Sequence, residues 1–201
     1  MLARLPQEIL SRTVFPLGEL EKAQVRALAQ GYGIPVADKP DSMEICFIPD
    51  GDYAAWLDRR GKTPPPGDFV DPKGRVLGRH KGIHHYTLGQ RRGLGVSGPH
   101  RYFVSAIRPE CNEVVLSDGS DLYADSARCA ELNWIALPGL DGERKCTVRL
   151  RHSRTETPAV LVPADGGVEL RLLSPARAPT PGQLAVFYDG ETVLGSGWII
   201  P

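Results

Sequence analysis

The sequence predicts a mainly β protein with a helical N-terminal segment, a small central β-rich domain and a six-stranded C-terminal β-barrel. Three observations support this prediction. Helix-like patterns occur only before residue 61, and a Pro-Pro-Pro-Gly run at 64–67 ends them. The remainder consists of short apolar runs separated by Gly, Pro, Asn and Asp, which is typical of antiparallel strands joined by turns.

The N-terminal segment contains three predicted helices, at 7–12, 19–30 and 52–60. The second has the clearest pattern, because Leu20, Ala23, Ala27 and Leu28 fall on one face and glycines follow its last turn. Between the second and third helices, residues 45–48 (ICFI) form a short apolar run that Pro49 closes. We expect a brief buried strand there, with Cys46 at its centre.

The strand-like runs fall into two groups on either side of a predicted boundary at 118–125. In the first group, 69–70 pairs with 75–77 and 101–107 pairs with 113–116, each pair flanking a turn sequence. The second group comprises six runs, at 129–135, 145–151, 159–162, 168–173, 184–188 and 193–199. Because closure removes exposed edges, six short strands with little helix favour a small barrel.

Charge is balanced overall but unevenly distributed. The 201 residues carry no formal net charge, yet no Asp or Glu lies between Pro72 and Pro109. That segment contains eight basic side chains, which are Lys73, Arg75, Arg79, Lys81, Arg91, Arg92, Arg101 and Arg108. Two interpretations stay open: a surface that contacts a polyanion such as nucleic acid, or an ordinary surface balanced by acids from elsewhere in the chain.

The cysteine and apolar patterns argue against several classes of protein. The four cysteines form no C-x-x-C pair and no zinc-like spacing. His84 and His85 are adjacent in a segment without carboxylates, so we expect no metal site. No run has the length of a membrane span or a signal peptide, and a reducing cytoplasmic location without membrane contact fits best.

Cys46 can be interpreted in two ways from the residues alone. A buried cysteine is commonly an inert filler of the core, whereas a thiol on a rigid strand next to turns can be a held nucleophile. Asp41, Ser42 and Glu44 precede it and can surround its entrance. Asp41 and Ser42 suit a role in shaping the turn through bonds to the backbone.

Several segments in order resemble those of the tRNA-specific 2-thiouridylases. Residues 39–48 (KPDSMEICFI) are similar to the family's K-x-D-S-x-x-I-C-F-I motif, and residues 15–26 (FPLGELEKAQVR) to its F-P-L-G-x-x-x-K-x-x-V-R segment. Residues 86–94 (YTLGQRRGL) resemble Y-T-x-G-Q-R-x-G-L. Near the end, TPGQ at 180–183 and LGSG at 194–197 resemble the closing elements.

The resemblance implies a domain division and a reaction. Residues 1–50 would be the end of a nucleotide-binding α/β domain, 51–122 a small central domain, and 123–201 a tRNA-binding barrel. In the family, ATP with Mg adenylates O2 of the wobble uridine in tRNA, and a persulfide sulfur then attacks C2. Cys46 would carry that persulfide, receive it from an upstream sulfur-donor protein and form a transient disulfide with a cysteine outside this chain.

The family's S-G-G-x-D-S loop for ATP and its first catalytic cysteine do not occur in these residues. We therefore expect no cofactor site in this chain and no complete reaction from it alone. Two alternatives to an enzyme segment stay open: a stand-alone, non-catalytic RNA-binding module and a sulfur-relay protein that acts without RNA.

The resemblance also implies tRNA contacts. Arg151 and His152 occupy the positions of an Arg-Tyr pair that touches tRNA in the family, so His152 replaces the usual tyrosine, and Gln183 matches a further contact. Gln90, Arg91 and Arg92 are additional candidates, since arginines can neutralise phosphates. Without the family, Arg151 would be interpreted as a surface salt bridge and Gln183 as an amide that stabilises a turn.

Overall fold

The computed structural model describes residues 2–39, 48, 51–61, 63–151 and 155–201. The predicted strand at 45–48, Cys46 and His152 therefore lie outside the described residues, apart from Ile48. The chain divides into two compact units, one formed by Met1–Leu10 with Thr63–Pro201 and the other by Ser11–Lys62. The mainly β architecture with N-terminal helices and a closed six-stranded barrel is confirmed.

Three short helices lie near the N-terminus: α1 (Gln7–Leu10), α2 (Lys22–Gly31) and α3 (Tyr53–Asp58). Helix α2 begins three residues after the predicted start, because the backbone N–H of Glu21 donates to Oε1 of Gln24 at 2.7 Å and caps the helix there. In α3 the side chain of Asp52 accepts from the backbone N–H of Ala55 at 2.9 Å. None of the helices among the described residues is both long and apolar enough to cross a membrane.

Four strands form the central sheet: β1 (Gly67–Val70), β2 (Val76–His80), β3 (Phe103–Arg108) and β4 (Glu113–Ser117). Their order is β2-β1-β4-β3, with β1 and β4 parallel and the other two pairs antiparallel. Phe69, Val104, Val114 and Leu116 are fully buried between the sheet and the loop that connects β2 to β3. The ring of Tyr86 meets Phe69 edge to face, with centroids 5.1 Å apart.

The six strands of the barrel are β5 (Tyr123–Trp134), β6 (Arg144–Arg149), β7 (Thr157–Ala164), β8 (Gly167–Arg177), β9 (Leu184–Asp189) and β10 (Thr192–Ile200). They close in the order β10-β5-β8-β7-β6-β9, and every pair is antiparallel. Phe187, Leu161, Leu170 and Val148 are fully buried inside. The six predicted barrel strands are all present, and β5, β7 and β8 are longer than predicted.

The N-terminal residues attach to the barrel. A 3₁₀ turn, Leu2–Arg4, lies beside β10 and β5. The buried hydroxyl of Ser196 donates to the carbonyl of Ala3 at 2.7 Å, and Nδ2 of Asn133 donates to the same carbonyl at 2.9 Å. Arg4 donates to the carbonyl of Glu131, and its guanidinium lies 5.6 Å from the ring centroid of Trp198.

The side chain of His80, at the end of β2, is buried and is not part of the basic surface. Its Nδ1 accepts from the backbone N–H groups of Gly82 at 3.0 Å and Gly67 at 3.3 Å, so Nε2 carries the proton and donates to the carbonyl of Asn112 at 3.0 Å. Burial lowers the pKa of His80. A Cβ at Gly67 would lie 2.1 Å from that carbonyl, so only glycine fits.

Acids just outside the basic segment neutralise part of it. Arg75 pairs with Asp71 at 3.2 Å, Arg79 with Asp68 at 2.9 Å and Arg108 with Glu113 at 3.2 Å. The interpretation as a balanced surface is therefore correct for these three arginines. The other five basic residues, Lys73, Lys81, Arg91, Arg92 and Arg101, have no acidic partner within the part of the chain that the structure describes.

Candidate nucleic-acid interface

Two of the predicted tRNA-contact residues, Arg151 and Gln183, lie at the same end of the barrel. Arg151 follows β6, and Gln183 precedes β9. These two strands are antiparallel neighbours in which Arg149 pairs with Val186, so the end of β6 lies beside the start of β9. The topology therefore brings Arg151 and Gln183 to the same end of the barrel.

Arg151 contacts the backbone of the loop that follows β8. Its Nη2 donates to the carbonyl of Arg177 and, at 3.3 Å, to that of Ala178. Ala178 is buried with φ +49°, a conformation that non-glycine residues rarely adopt, and its N–H donates to the carbonyl of Leu122. Arg151 thus stabilises an unusual backbone segment, which neither the salt-bridge interpretation nor the family motif predicted.

Gln183 closes the same loop through its backbone. Its N–H donates to the carbonyl of Thr180 at 3.1 Å, and its carbonyl accepts from the N–H of Ile199 at 2.8 Å. The side-chain Oε1 is buried, and no donor among the described residues reaches it. A buried amide oxygen without a partner is costly, so this atom is suited to accept a hydrogen bond from a ligand or from water.

The segment Tyr86–Gly95 lies in the central unit and folds into a compact loop. Oε1 of Gln90 accepts from the N–H of Thr87 at 3.0 Å, and its Nε2 donates to the carbonyl of Arg92 at 3.0 Å. Both ends of this amide are therefore engaged within the loop. Arg91 and Arg92 are exposed, and they are the groups that the loop offers to a ligand.

Arg177 connects this loop to the barrel, although no sequence pattern singled it out. Its Nη2 donates to the carbonyl of Gly89 at 3.3 Å, and its guanidinium lies 5.1 Å from the ring centroid of Phe103. Because Arg151 contacts the carbonyl of Arg177, the central loop, Arg177 and Arg151 are linked in a continuous series. The predicted strand at 168–173 ended four residues before Arg177, so no local sequence signal pointed to this residue.

The charge of this end of the barrel is positive. At this end of the barrel, Arg151 and Arg177 have no carboxylate partner in the described ranges, and the same holds for Arg91 and Arg92 in the loop between β2 and β3. The nearby acid Glu156 is neutralised by Arg149, whose guanidinium lies 2.5 Å from Oε1. Hydrogen bonds from Arg149 and then from Thr147 lower the pKa of Glu156, so the pair stays ionised. Unpaired arginines beside engaged acids are typical of a phosphate-binding surface.

The described cysteines differ in exposure. Burial raises the pKa of Cys129 to about 12 and that of Cys146 to about 11, so both remain protonated and unreactive at neutral pH. Cys111 is exposed. The assignment of Cys46 stays a prediction, since that residue lies outside the described ranges.

Family models match nearly the whole chain in three consecutive parts. Residues 1–50 match a tRNA methyl transferase HUP domain, residues 55–118 a tRNA methyl transferase PRC-barrel domain, and residues 124–199 an aminomethyltransferase β-barrel domain. The last range coincides with strands β5–β10 to within a residue at either end. The first includes residues 2–10, which the structure groups with the barrel.

Curated relatives cover the chain almost from end to end. The tRNA-specific 2-thiouridylase MnmA of Acidobacterium capsulatum is 45% identical over 98% of this chain and 55% of its own length. MnmA 1 of Caldanaerobacter subterraneus subsp. tengcongensis is 46% identical over 99% of this chain and 55% of its own. The chain thus spans about half the length of the curated relatives it matches, and it belongs to the tRNA-specific 2-thiouridylase family.

Proposed function

We propose that this chain acts in 2-thiolation of the tRNA wobble uridine, where it supplies the tRNA-binding surface and the cysteine that carries the persulfide sulfur. The single observation that supports the RNA-binding part best is that Arg151 and Arg177, neither with a carboxylate partner in the described ranges, line one cleft at the end of the barrel. The names of the relatives support the choice of tRNA as the ligand and of sulfur as the transferred group.

The proposed RNA contacts differ in kind. Arg91 and Arg92 are exposed and suit electrostatic contact with phosphates. Arg151 donates one nitrogen to the backbone of the 177–178 segment and keeps further N–H groups for a phosphate. Gln183 suits a directional hydrogen bond through its unpaired Oε1. Gln90 holds the loop in shape, and His152 is proposed as a contact from the family motif alone.

In the sulfur step, the Cys46 thiolate would attack the terminal sulfur of a donor persulfide. The bond between the two donor sulfurs breaks, Cys46 gains an S–S bond to the transferred sulfur, and the donor leaves as a thiolate. No redox agent beyond the donor is needed. Cys129 and Cys146 are poor competitors because burial raises the pKa of both thiols.

ATP chemistry is not assigned to these residues. The 201 residues contain no S-G-G-x-D-S loop and no other phosphate-binding glycine pattern with the required spacing. The proposal therefore includes no step through ATP and places adenylation of the uridine on other residues or another chain.

A single set of samples tests both parts. The full chain is incubated with an inorganic polysulfide, and peptides are mapped by mass spectrometry for the addition of one sulfur atom. We expect sulfur on Cys46, with exposed Cys111 as the internal control for non-selective reaction. The same protein is titrated into an unmodified tRNA transcript at several salt concentrations, and we expect an affinity that falls steeply with salt.

Two results would contradict the proposal. Equal labelling of Cys111 and Cys46 would remove the special role of Cys46. Absence of tRNA binding at low salt would remove the RNA-binding role of the barrel end. The Cys46→Ser variant distinguishes the two parts, because it is expected to lose the label and to keep the tRNA affinity of the wild type.

A further inference from the structure

Tyr123 and Arg177 form a cross-strand pair where the barrel begins. They are direct partners in the antiparallel register of β5 and β8, so their side chains lie on the same face of the sheet. Tyr123 is 56% exposed, although aromatic side chains on short strands commonly contribute to a core.

The side chain of Arg177 is positioned by two uncharged groups, so its positive charge is not neutralised by them. The hydrogen bond to the carbonyl of Gly89 and the ring of Phe103 fix its guanidinium without a carboxylate. No acidic partner of Arg177 occurs in the described parts of the chain. A guanidinium that is already ordered loses little conformational entropy when it binds an anion.

Clefts open on both sides of this pair. The first is about 450 Å³ in volume and is lined by Tyr123 and Arg177 with Arg151, Thr155 and Ser174. The second is lined by the same two residues with Phe103, Asp118 and Ser120. Hydrogen bonds from the hydroxyl and the N–H of Ser120 lower the pKa of Asp118, so the second cleft carries a negative charge. The first cleft also contains a carboxylate, that of Glu156, but this group is paired with Arg149, whereas Arg151 and Arg177 have no acidic partner in the described ranges. An anionic group is therefore favoured in the first cleft.

We propose that Tyr123 is a stacking platform for one unpaired nucleotide of RNA, whose phosphate lies in the first cleft against Arg177 and Arg151. This inference rests on the proposed function and names a residue through which the same surface would select unpaired RNA. Unpaired bases stack on aromatic rings and on guanidinium planes, while paired bases in an A-form helix are not accessible for such contact.

A nucleotide fits this surface better than a protein segment does. An apolar partner would have to bury Thr155, Ser174 and Ser120 beside Tyr123, and the neighbouring ring of Phe103 is already in contact with the guanidinium of Arg177. A nucleotide needs one flat apolar face and one cationic site a few ångströms away, and the Tyr123–Arg177 pair offers both.

The test compares three variants of the full chain, Tyr123→Ala, Tyr123→Phe and Tyr32→Ala. Tyr32 is 81% exposed in the Ser11–Lys62 unit and serves as the control for loss of a surface aromatic. Each protein is titrated into an unmodified tRNA transcript and into a blunt RNA duplex of similar length. Loss of one base stack lowers affinity by about five- to 100-fold.

We expect Tyr123→Ala to weaken binding to the tRNA by that factor with an unchanged salt slope, and to leave binding to the duplex as it was. Tyr123→Phe keeps the ring and is expected to stay within about two-fold of the wild type. Thermal unfolding of each variant shows that the exposed substitutions leave the fold intact.

Three outcomes overturn the inference. If Tyr123→Ala binds tRNA as the wild type does while Arg151→Ala binds more weakly, the platform is wrong and the proposed function stands. If Tyr123→Ala weakens tRNA and duplex equally, the residue does not stack on unpaired bases. If the wild-type chain binds neither RNA, the proposed function fails, and this inference fails with it.

Discussion

The barrel and the Ser11–Lys62 unit differ in how far their large apolar side chains are buried. Among the described residues, most of those in the barrel are buried or partly buried, whereas most of those in the Ser11–Lys62 unit are exposed, with Ile48 as a buried exception. In the barrel, Phe187, Leu161 and Leu170 are 0% exposed. In the other unit, helix α2 contains no buried residue, and Leu28 at its centre is 47% exposed. Further large apolar side chains there are exposed as well: Val14, Phe15, Leu17, Leu20, Tyr32, Ile34 and Val36.

From this difference we expect the barrel to contribute most of the stability of the chain. Closure of the barrel buries one face of every strand and leaves no free edge, so its strands stabilise each other. A ten-residue helix is marginal in water unless packing supports it. The proposed roles also fall in different units: the RNA contacts lie in the unit that contains the barrel, and Cys46 belongs to the Ser11–Lys62 unit.

The largest expected effect tests the barrel core. Phe187→Ala removes a fully buried ring that lies 6.0 Å, centroid to centroid, from Trp134. We expect the free energy of unfolding to fall by about 3–5 kcal/mol, since lost transfer energy and a cavity add together. Urea titration followed by tryptophan fluorescence measures it. A loss below about 1 kcal/mol would mean that the barrel does not dominate stability.

The next effect concerns RNA binding by the barrel end. Arg151→Ala is expected to weaken tRNA binding about ten-fold and to lower the salt slope by about one. Arg171→Ala is the matched control, because Arg171 is also exposed on the barrel but is paired with Glu143 at 3.0 Å. An unchanged salt slope for Arg151→Ala, with its melting temperature preserved, would contradict a phosphate contact.

A smaller effect concerns the pH dependence of stability, which we expect to arise in part from His80 of the central sheet. Burial lowers the pKa of His80 in the folded chain below its ordinary 6.5. The unfolded chain therefore binds the proton first as pH falls, so the contribution of neutral His80 is complete above about pH 6.5 and is lost as pH falls through the folded pKa. The loss cannot exceed about 1.4 kcal/mol per pH unit.

The measurement is urea unfolding at about pH 7.5 and about pH 5 for the wild type, His80→Gln and His100→Gln. We expect His80→Gln to be less stable at the higher pH but to lose less on acidification. His100 is exposed, so His100→Gln is expected to follow the wild type. Identical pH dependence in all three proteins would show that His80 is not the group responsible.

The smallest effect tests the other side of the comparison. Leu28→Ala in helix α2 removes a half-exposed side chain, and we expect the free energy of unfolding to change by no more than about 0.5 kcal/mol. The measurement is the same urea titration used for Phe187→Ala. A loss of several kcal/mol would mean that Leu28 is buried in solution, and the contrast between the two units would disappear.

The strands could be predicted from the sequence because their signals are local. Alternating apolar residues and tight turns such as Asp189-Gly190 mark each barrel strand within a few residues. The start of α2 was also readable, since Glu21 and Gln24 have the spacing of a capping box, but the acids at 19 and 21 suggested an earlier start.

The details of the site depended on distant contacts and could not be predicted. Arg177 acquires its position from a carbonyl 88 residues away, at Gly89, and from pairing of β8 with β5. Arg151 was expected to contact RNA or an acid. The structure shows in addition that its guanidinium donates a hydrogen bond to the backbone carbonyl of Ala178. The burial of His80 could not be predicted either. Its hydrogen-bond partners, Gly82 and Asn112, lie in two separate loops that come together only in the folded chain.

The attachment of Ala3 to Ser196 has a consequence for the order of folding. These residues are 193 positions apart, so their hydrogen bond closes a very long loop of chain. Contacts between such distant positions form slowly, because bringing two remote segments together has a large entropy cost. We therefore expect the 3₁₀ turn Leu2–Arg4 to pack against β10 late in folding, after the barrel strands have paired.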